Sequence, residues 1–142
     1  MGVVHKRLND GSTDGSMWHW EGVEVEPYTS NNATKQVLIG GDDGAKNFVL
    51  RYFTIPPHGF SHLDYHSHDH GVLIVQGRAR VMLGERFEEV GPGDVVYIPG
   101  YERHQFENLT DDLLTFLCII PPKPSQPEQT AEPVQEGAKG SS

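Results

Sequence analysis

The chain has 142 residues, a formal charge of −9 and an apolar fraction of 36%, enough for the core of one domain and too little for two. Its acidity, without any cluster of Lys and Arg, excludes a phosphate-tracking surface, so no nucleic-acid partner is expected. No apolar stretch approaches the roughly 20 residues of a membrane helix and no apolar leader opens the chain, so a soluble cytoplasmic protein with no membrane partner is expected.

Residues 1–16 are polar and contain Gly, Asp and Ser, which predicts a flexible N-terminal arm. Trp18 and Trp20 flank His19 ahead of the first expected strand, placed to anchor that arm on the folded body or on a second subunit. Short runs rich in Val, Ile, Tyr and Phe follow at residues 36–39, 48–55, 72–76, 78–83, 86–90, 94–98 and 113–120, separated by Gly, Pro and Asp. None has a helical period. Residues 78–83 alternate polar and apolar, and residues 87–90 do so in part, as strands with one face on a core should. Gly77 and Gly84 stand where hairpins turn, and residues 91–94 form a further turn signal. Many short strands at nearly even spacing predict an all-β fold over residues 17–122, an antiparallel sandwich or barrel. The jelly roll is the version that builds ligand sites inside.

Cys118 is the single cysteine and lies in the apolar run at 113–120, so an internal disulfide is excluded and the thiol reads as buried and structural rather than as a metal ligand. From Pro121 onward the chain is rich in proline and poor in apolar residues, and residues 123–142 are expected to be a disordered tail.

Five of the eight histidines (His58, His62, His66, His68 and His70) fall within thirteen residues. In an unbroken strand Asp64, His66, His68 and His70 would share one face. A row of imidazoles with a carboxylate is a metal site more readily than a core, because unpaired polar groups are costly to bury.

The segment Gly93, Pro99, His104, Asn108 resembles the second motif of the cupin family, in which glycine, five residues, proline and a turn precede a histidine followed four positions later by asparagine. Tyr101 stands where that motif often has glycine after the proline turn, a departure expected to alter only loop shape. The family's first motif, two histidines one residue apart, then an acidic or occasionally histidine ligand, then a glycine seven positions later, is present in altered form. Gly77 fixes its end and places His70 at the usual acidic position, as in four-histidine cupins. The gapless register then assigns His66 and Asp64 to the histidine pair, giving Asp64, His66, His70 and His104 as ligands. A second register takes His66 and His68 as the pair with His70 as the third ligand and needs the following hairpin shortened by two residues, leaving only Asp69 between paired strands that must reverse direction. The gapless register is preferred for that reason, and Asp64 and His68 remain alternatives.

The resemblance spans residues 47–120 and implies a double-stranded β-helix, or jelly-roll, barrel holding one divalent transition metal. Imidazole and carboxylate without thiolate suit Fe or Mn first and Ni or Zn next. Open coordination positions make catalysis on a small organic substrate possible, and the family most often implies dioxygenase-type oxidoreductase chemistry, with isomerase and lyase activities as neighbours. A non-catalytic module that binds or senses a small ligand is the alternative. Single-domain cupins also resemble one another in pairing as homodimers through a sheet edge. The residues expected to shape the pocket are Tyr52, Phe53, Ile74, Gln76, Met82, Tyr97, Gln105, Phe106 and Phe116, with His68 at the mouth as a possible proton carrier.

Overall fold

The computed structural model describes residues 1–8 and 15–122; the expected tail at 123–142 lies outside the described residues. Its longer strands fall where β-branched and aromatic side chains accumulate, since these fit a pleated, half-buried surface. They are β4 (Thr34–Ile39), β5 (Val49–Ile55), β6 (His70–Gln76), β7 (Ala79–Leu83), β8 (Arg86–Val90), β9 (Val95–Ile98), β10 (His104–Glu107) and β11 (Leu114–Ile120), preceded by the short pairs β1 (Arg7–Leu8), β2 (His19–Trp20) and β3 (Glu26–Pro27). Two sheets face each other, one in the order β3-β4-β5-β11-β6-β9 and one in the order β10-β7-β8, and every pairing is antiparallel. This is the expected all-β jelly roll. Among the described residues no helix is long and apolar enough to cross a membrane.

Alternation decides what enters the space between the sheets. Val72 and Ile74 of β6, Phe53 and Ile55 of β5, Leu114, Phe116 and Ile120 of β11, and Phe106 of β10 are buried in one core. Full burial of an aliphatic or aromatic side chain contributes about 1.5–3 kcal/mol, so this contiguous cluster dominates the fold's stability.

Two local features differ from expectation. Gly84, with φ of 66°, turns the β7–β8 hairpin, but Gly77, with φ of 85°, turns no hairpin. Strand β6 pairs with β11 and β9 while β7 pairs with β8 and β10, so Gly77 is the corner where the chain passes between sheets. A Cβ there would lie 2.2 Å from the Leu113 carbonyl oxygen, which excludes any other residue without a shift of backbone. Within the stretch expected to be a loose arm, β1 pairs with β2, and the Arg7 guanidinium lies 4.6 Å over the Trp18 ring. Trp18 and Trp20 then pack on Tyr52 of this chain's own β5, at 6.1 and 4.9 Å between ring centroids.

Candidate metal centre

The run of histidines does not form one strand. Strand β6 starts only at His70, and the chain bends at Ser67 and His68. Upstream, an irregular stretch lies antiparallel to β10, bridging Phe60 to Glu107 and Asp64 to His104, and it is one residue longer than its partner between these bridges. Asp64 and His104 exchange two backbone hydrogen bonds, at 2.9 and 3.1 Å. The bend is held from the other side, where Tyr101 N–H donates to the His66 carbonyl. Tyr101 does this with φ of 65°, in the left-handed region that favours glycine, and a Cβ on Gly100 would lie 2.2 Å from the Ser67 carbonyl oxygen. The Gly100–Tyr101 turn therefore does more than shape a loop, since it fixes the backbone that carries His66.

His66, His70 and His104 are all buried and bring one ligand atom each to within 4.8 Å of one another. Their rings form a cluster, with centroids 5.4 Å apart for His66–His70 and 4.9 Å for His70–His104. Both alternatives for the remaining ligand border it. Asp64 Oδ2 is 3.6 Å from His66 Nε2, and the His68 ring stacks on His66 at 4.7 Å. His58 and His62 stand apart from the cluster: His58 pairs with Asp111 at 2.7 Å, and His62 Nε2–H donates to the Tyr28 carbonyl at 2.8 Å.

The protonation states suit a cation. His104 Nδ1–H donates to the Glu102 carbonyl at 2.8 Å, which leaves the Nε2 lone pair available. His70 Nδ1 meets Cys118 Sγ at 3.3 Å, and its Nε2 is buried without a hydrogen-bond partner. Burial, followed by the charges of His104 and Arg51, pushes the His70 pKa down to about 2. Burial likewise lowers that of His104, and burial with the His66 charge takes His68 to about 4. Imidazoles kept neutral need lose no proton before coordinating. An orphaned His70 Nε2 and an orphaned Asp64 Oδ1, both buried, are costly unless something binds them, and a divalent cation fits that donor set.

Beside the cluster opens a small pocket, which Asp64, His70 and His104 help to line. Of the residues expected to shape it, Phe53, Phe106 and Phe116 do so. Ile74 is core, while Tyr52 faces away from the pocket beneath Trp18 and Trp20. Met82 is half-buried between inward-facing neighbours on β7, and Tyr97 is exposed with its hydroxyl 2.9 Å from Asp69. The two amides find protein partners, Gln105 donating to the Ser61 carbonyl at 2.9 Å and Gln76 to that of Gly15. Sequence reasoning missed Tyr28, Arg51 and Ser61, and it placed Cys118 in the core without seeing that its sulfur reaches the pocket. Burial, then the Asp64 charge, raises the Tyr28 pKa above the ordinary phenol range, so this hydroxyl keeps its proton. The motif asparagine, Asn108, is a structural clamp whose amide nitrogen donates to the carbonyls of Ile55, Pro56 and Asp112, while its oxygen accepts from the N–H and hydroxyl of Thr110.

A family model for the cupin domain matches residues 51–120. The 1-methylthio-D-xylulose 5-phosphate methylsulfurylase of Rhodospirillum rubrum is 37% identical over 123 residues, covering 82% of this chain and 78% of that protein. A crystal structure of a cupin-2 domain from Rhodospirillum rubrum superposes with a TM-score of 0.72 at 35% identity, covering 86% of this chain and 82% of that one. The polyketide cyclase RemF from Streptomyces resistomycificus gives a TM-score of 0.63 at 32% identity, over 70% and 74% of the two chains.

Proposed function

The chain belongs to the cupin family, and on that premise we propose that it is a metal-dependent enzyme that rearranges or cleaves a small carbonyl compound without net oxidation. The observation that carries this reading is the convergence of His66, His70 and His104 beside a pocket that also holds a carboxylate and a phenol. One divalent transition metal, Fe or Mn before Ni or Zn, would be held by these three histidines with Asp64 or His68 and would supply Lewis acidity to a bound carbonyl.

The chain's own groups do the rest. Phe53, Phe106 and Phe116 keep the pocket apolar, which strengthens every electrostatic contact inside it. Tyr28 Oη keeps its proton and can donate to an oxygen on which negative charge develops. Asp64, buried at the pocket wall with Oδ1 unpartnered, is placed to hold a proton taken from carbon next to the carbonyl if it is not itself a ligand.

The relatives' names support the isomerase or lyase side of the expectation over the dioxygenase side. A methylthio-xylulose phosphate and a polyketide are both carbonyl compounds with acidic neighbouring C–H bonds, and neither methylsulfurylase nor cyclase is a name for oxygen incorporation.

The test is deuterium exchange from D2O into small ketoses and keto acids, followed by NMR on metal-loaded protein while dissolved oxygen is recorded. Exchange that needs metal, with no oxygen consumed, is expected. Oxygen uptake in step with substrate loss would return the protein to the dioxygenase reading, and tight binding without exchange or turnover would make it a binding module.

A further inference from the structure

Arg51 lies in the middle of the apolar run of β5, in phase with the inward-facing Phe53 and Ile55, and its side chain lines the pocket. It is only 2% exposed. Nη2 donates to Cys118 Sγ at 3.0 Å and the guanidinium packs 4.8 Å from the Phe53 ring centre. Nε and Nη1 are buried with no hydrogen-bond partner, and among the described residues no carboxylate forms an ion pair with Arg51.

A permanently charged guanidinium with open donors, buried in a pocket whose one carboxylate, Asp64, forms no ion pair with it, is an unfavourable arrangement unless an anion completes it. Arg51 is also the one fixed positive charge among the residues lining the pocket. Cys118 Sγ bridges Arg51 Nη2 and His70 Nδ1, so whatever meets Arg51 lies close to the histidines.

We propose that Arg51 anchors an anionic oxygen, of a carboxylate or a phosphate, on the molecule that this pocket takes up. The assignment rests on the reading above in taking the pocket as the substrate site, and it narrows the substrate to a small organic anion. Arg suits the task because its planar donors match both oxyanions.

Calorimetric titration of the metal-loaded protein at pH 7 with pyruvate, inorganic phosphate and neutral dihydroxyacetone tests it. Wild type should prefer at least one of the anions to dihydroxyacetone, and preference for pyruvate alone or for phosphate alone tells which oxyanion the site takes. Arg51→Met should weaken that anion by about 10–100-fold, the loss expected for charged hydrogen bonds, and leave dihydroxyacetone binding and metal content unchanged. Without ligand Arg51→Met should melt no lower than wild type, because an unpaired buried charge has been replaced by an apolar chain of similar length. Anion affinity within about threefold of wild type in Arg51→Met, or a wild type with no preference for either anion, overturns the proposal. If Arg51→Met does not fold, Arg51→Lys, which keeps the charge and loses the planar fork, should still weaken the anion selectively. Metal content by atomic emission is measured on each sample, so absence of metal would sink the metal reading while the anion titration is judged separately.

Discussion

Metal-free protein should lose stability as the pH falls from 7 to 4.5, and His70 should account for a definable part of the loss. Its imidazole sits at the start of β6 in the buried cluster, with its pKa held down to about 2 against 6.5 for an ordinary histidine. Below pH 6.5 the unfolded chain binds a proton that the folded chain refuses. The stability contributed by the neutral ring is therefore complete above the unfolded value and is lost as pH drops toward the folded one. Over the interval from pH 7 to 4.5 this single group removes roughly 2–3 kcal/mol, a large share of a net stability of about 5–15 kcal/mol. His104 shifts in the same direction, chiefly through burial, and adds to the effect. Urea unfolding of chelator-treated wild type and His70→Gln at both pH values isolates the term. The variant should gain roughly 2–3 kcal/mol relative to wild type on going to pH 4.5. Parallel pH dependence in the two proteins would show that His70 is already hydrated and protonatable in the folded state, and the burial reasoning would fail.

Metal titration at one fixed pH should separate the two registers: Asp64→Ala loses affinity more steeply than His68→Ala if the carboxylate coordinates, and the order reverses if His68 does. A neighbour that only orients a ligand costs about 10–100-fold, so the comparison between the two variants is what decides. Asn108→Ala should destabilise the fold by about 2–4 kcal/mol in chemical denaturation, since several buried carbonyls lose their donor at once; a change below about 0.5 kcal/mol would show that water replaces the amide. Light scattering at micromolar concentration should give a dimer, because β9 is an edge strand whose Val95 and Tyr97 are 74% and 62% exposed, and Val95→Lys with Tyr97→Lys should return monomers. A monomer in the wild type would refute this.

What the sequence disclosed depended on whether a strand has one covered face or two. Ala79, Val81 and Leu83 of β7 alternate with half-exposed residues, and there the pattern reads correctly. Strand β5 is buried from Arg51 through Ile55 because Trp18 and Trp20 cover its outer side, so Tyr52 reads as readily inward as Phe53 does, and nothing in the run singles out Arg51. The clustering of three histidines followed from their spacing, whereas the backbone geometry between them could not be foreseen. His66, His70 and His104 were recoverable from Gly77, Gly93 and Pro99, whereas the bend that brings His66 and His68 together depends on the remote Gly100–Tyr101 turn. Strand β10 is marked by its motif histidine and not by an apolar run, because its sequence, His-Gln-Phe-Glu, puts a single large apolar side chain in the core.

The charges on the barrel's inner wall constrain the chemistry more tightly than the ligand count does. Burial keeps His70 and His104 neutral, so the imidazoles add nothing to the balance at pH 7. Asp64 brings one negative charge and Arg51 one positive, so the lining has no formal net charge before any cation is bound, although the two form no ion pair. A divalent cation then leaves an uncompensated excess of positive charge in a pocket walled by Phe53, Phe106 and Phe116, in which a charge is poorly solvated. A neutral substrate leaves that excess in place, whereas an anion bridging the histidine cluster and Arg51 removes it. Because the cation and Arg51 repel each other through low-dielectric surroundings, the anion that relieves the repulsion should also tighten the hold on the cation, and by linkage the cation should tighten the hold on the anion to the same degree.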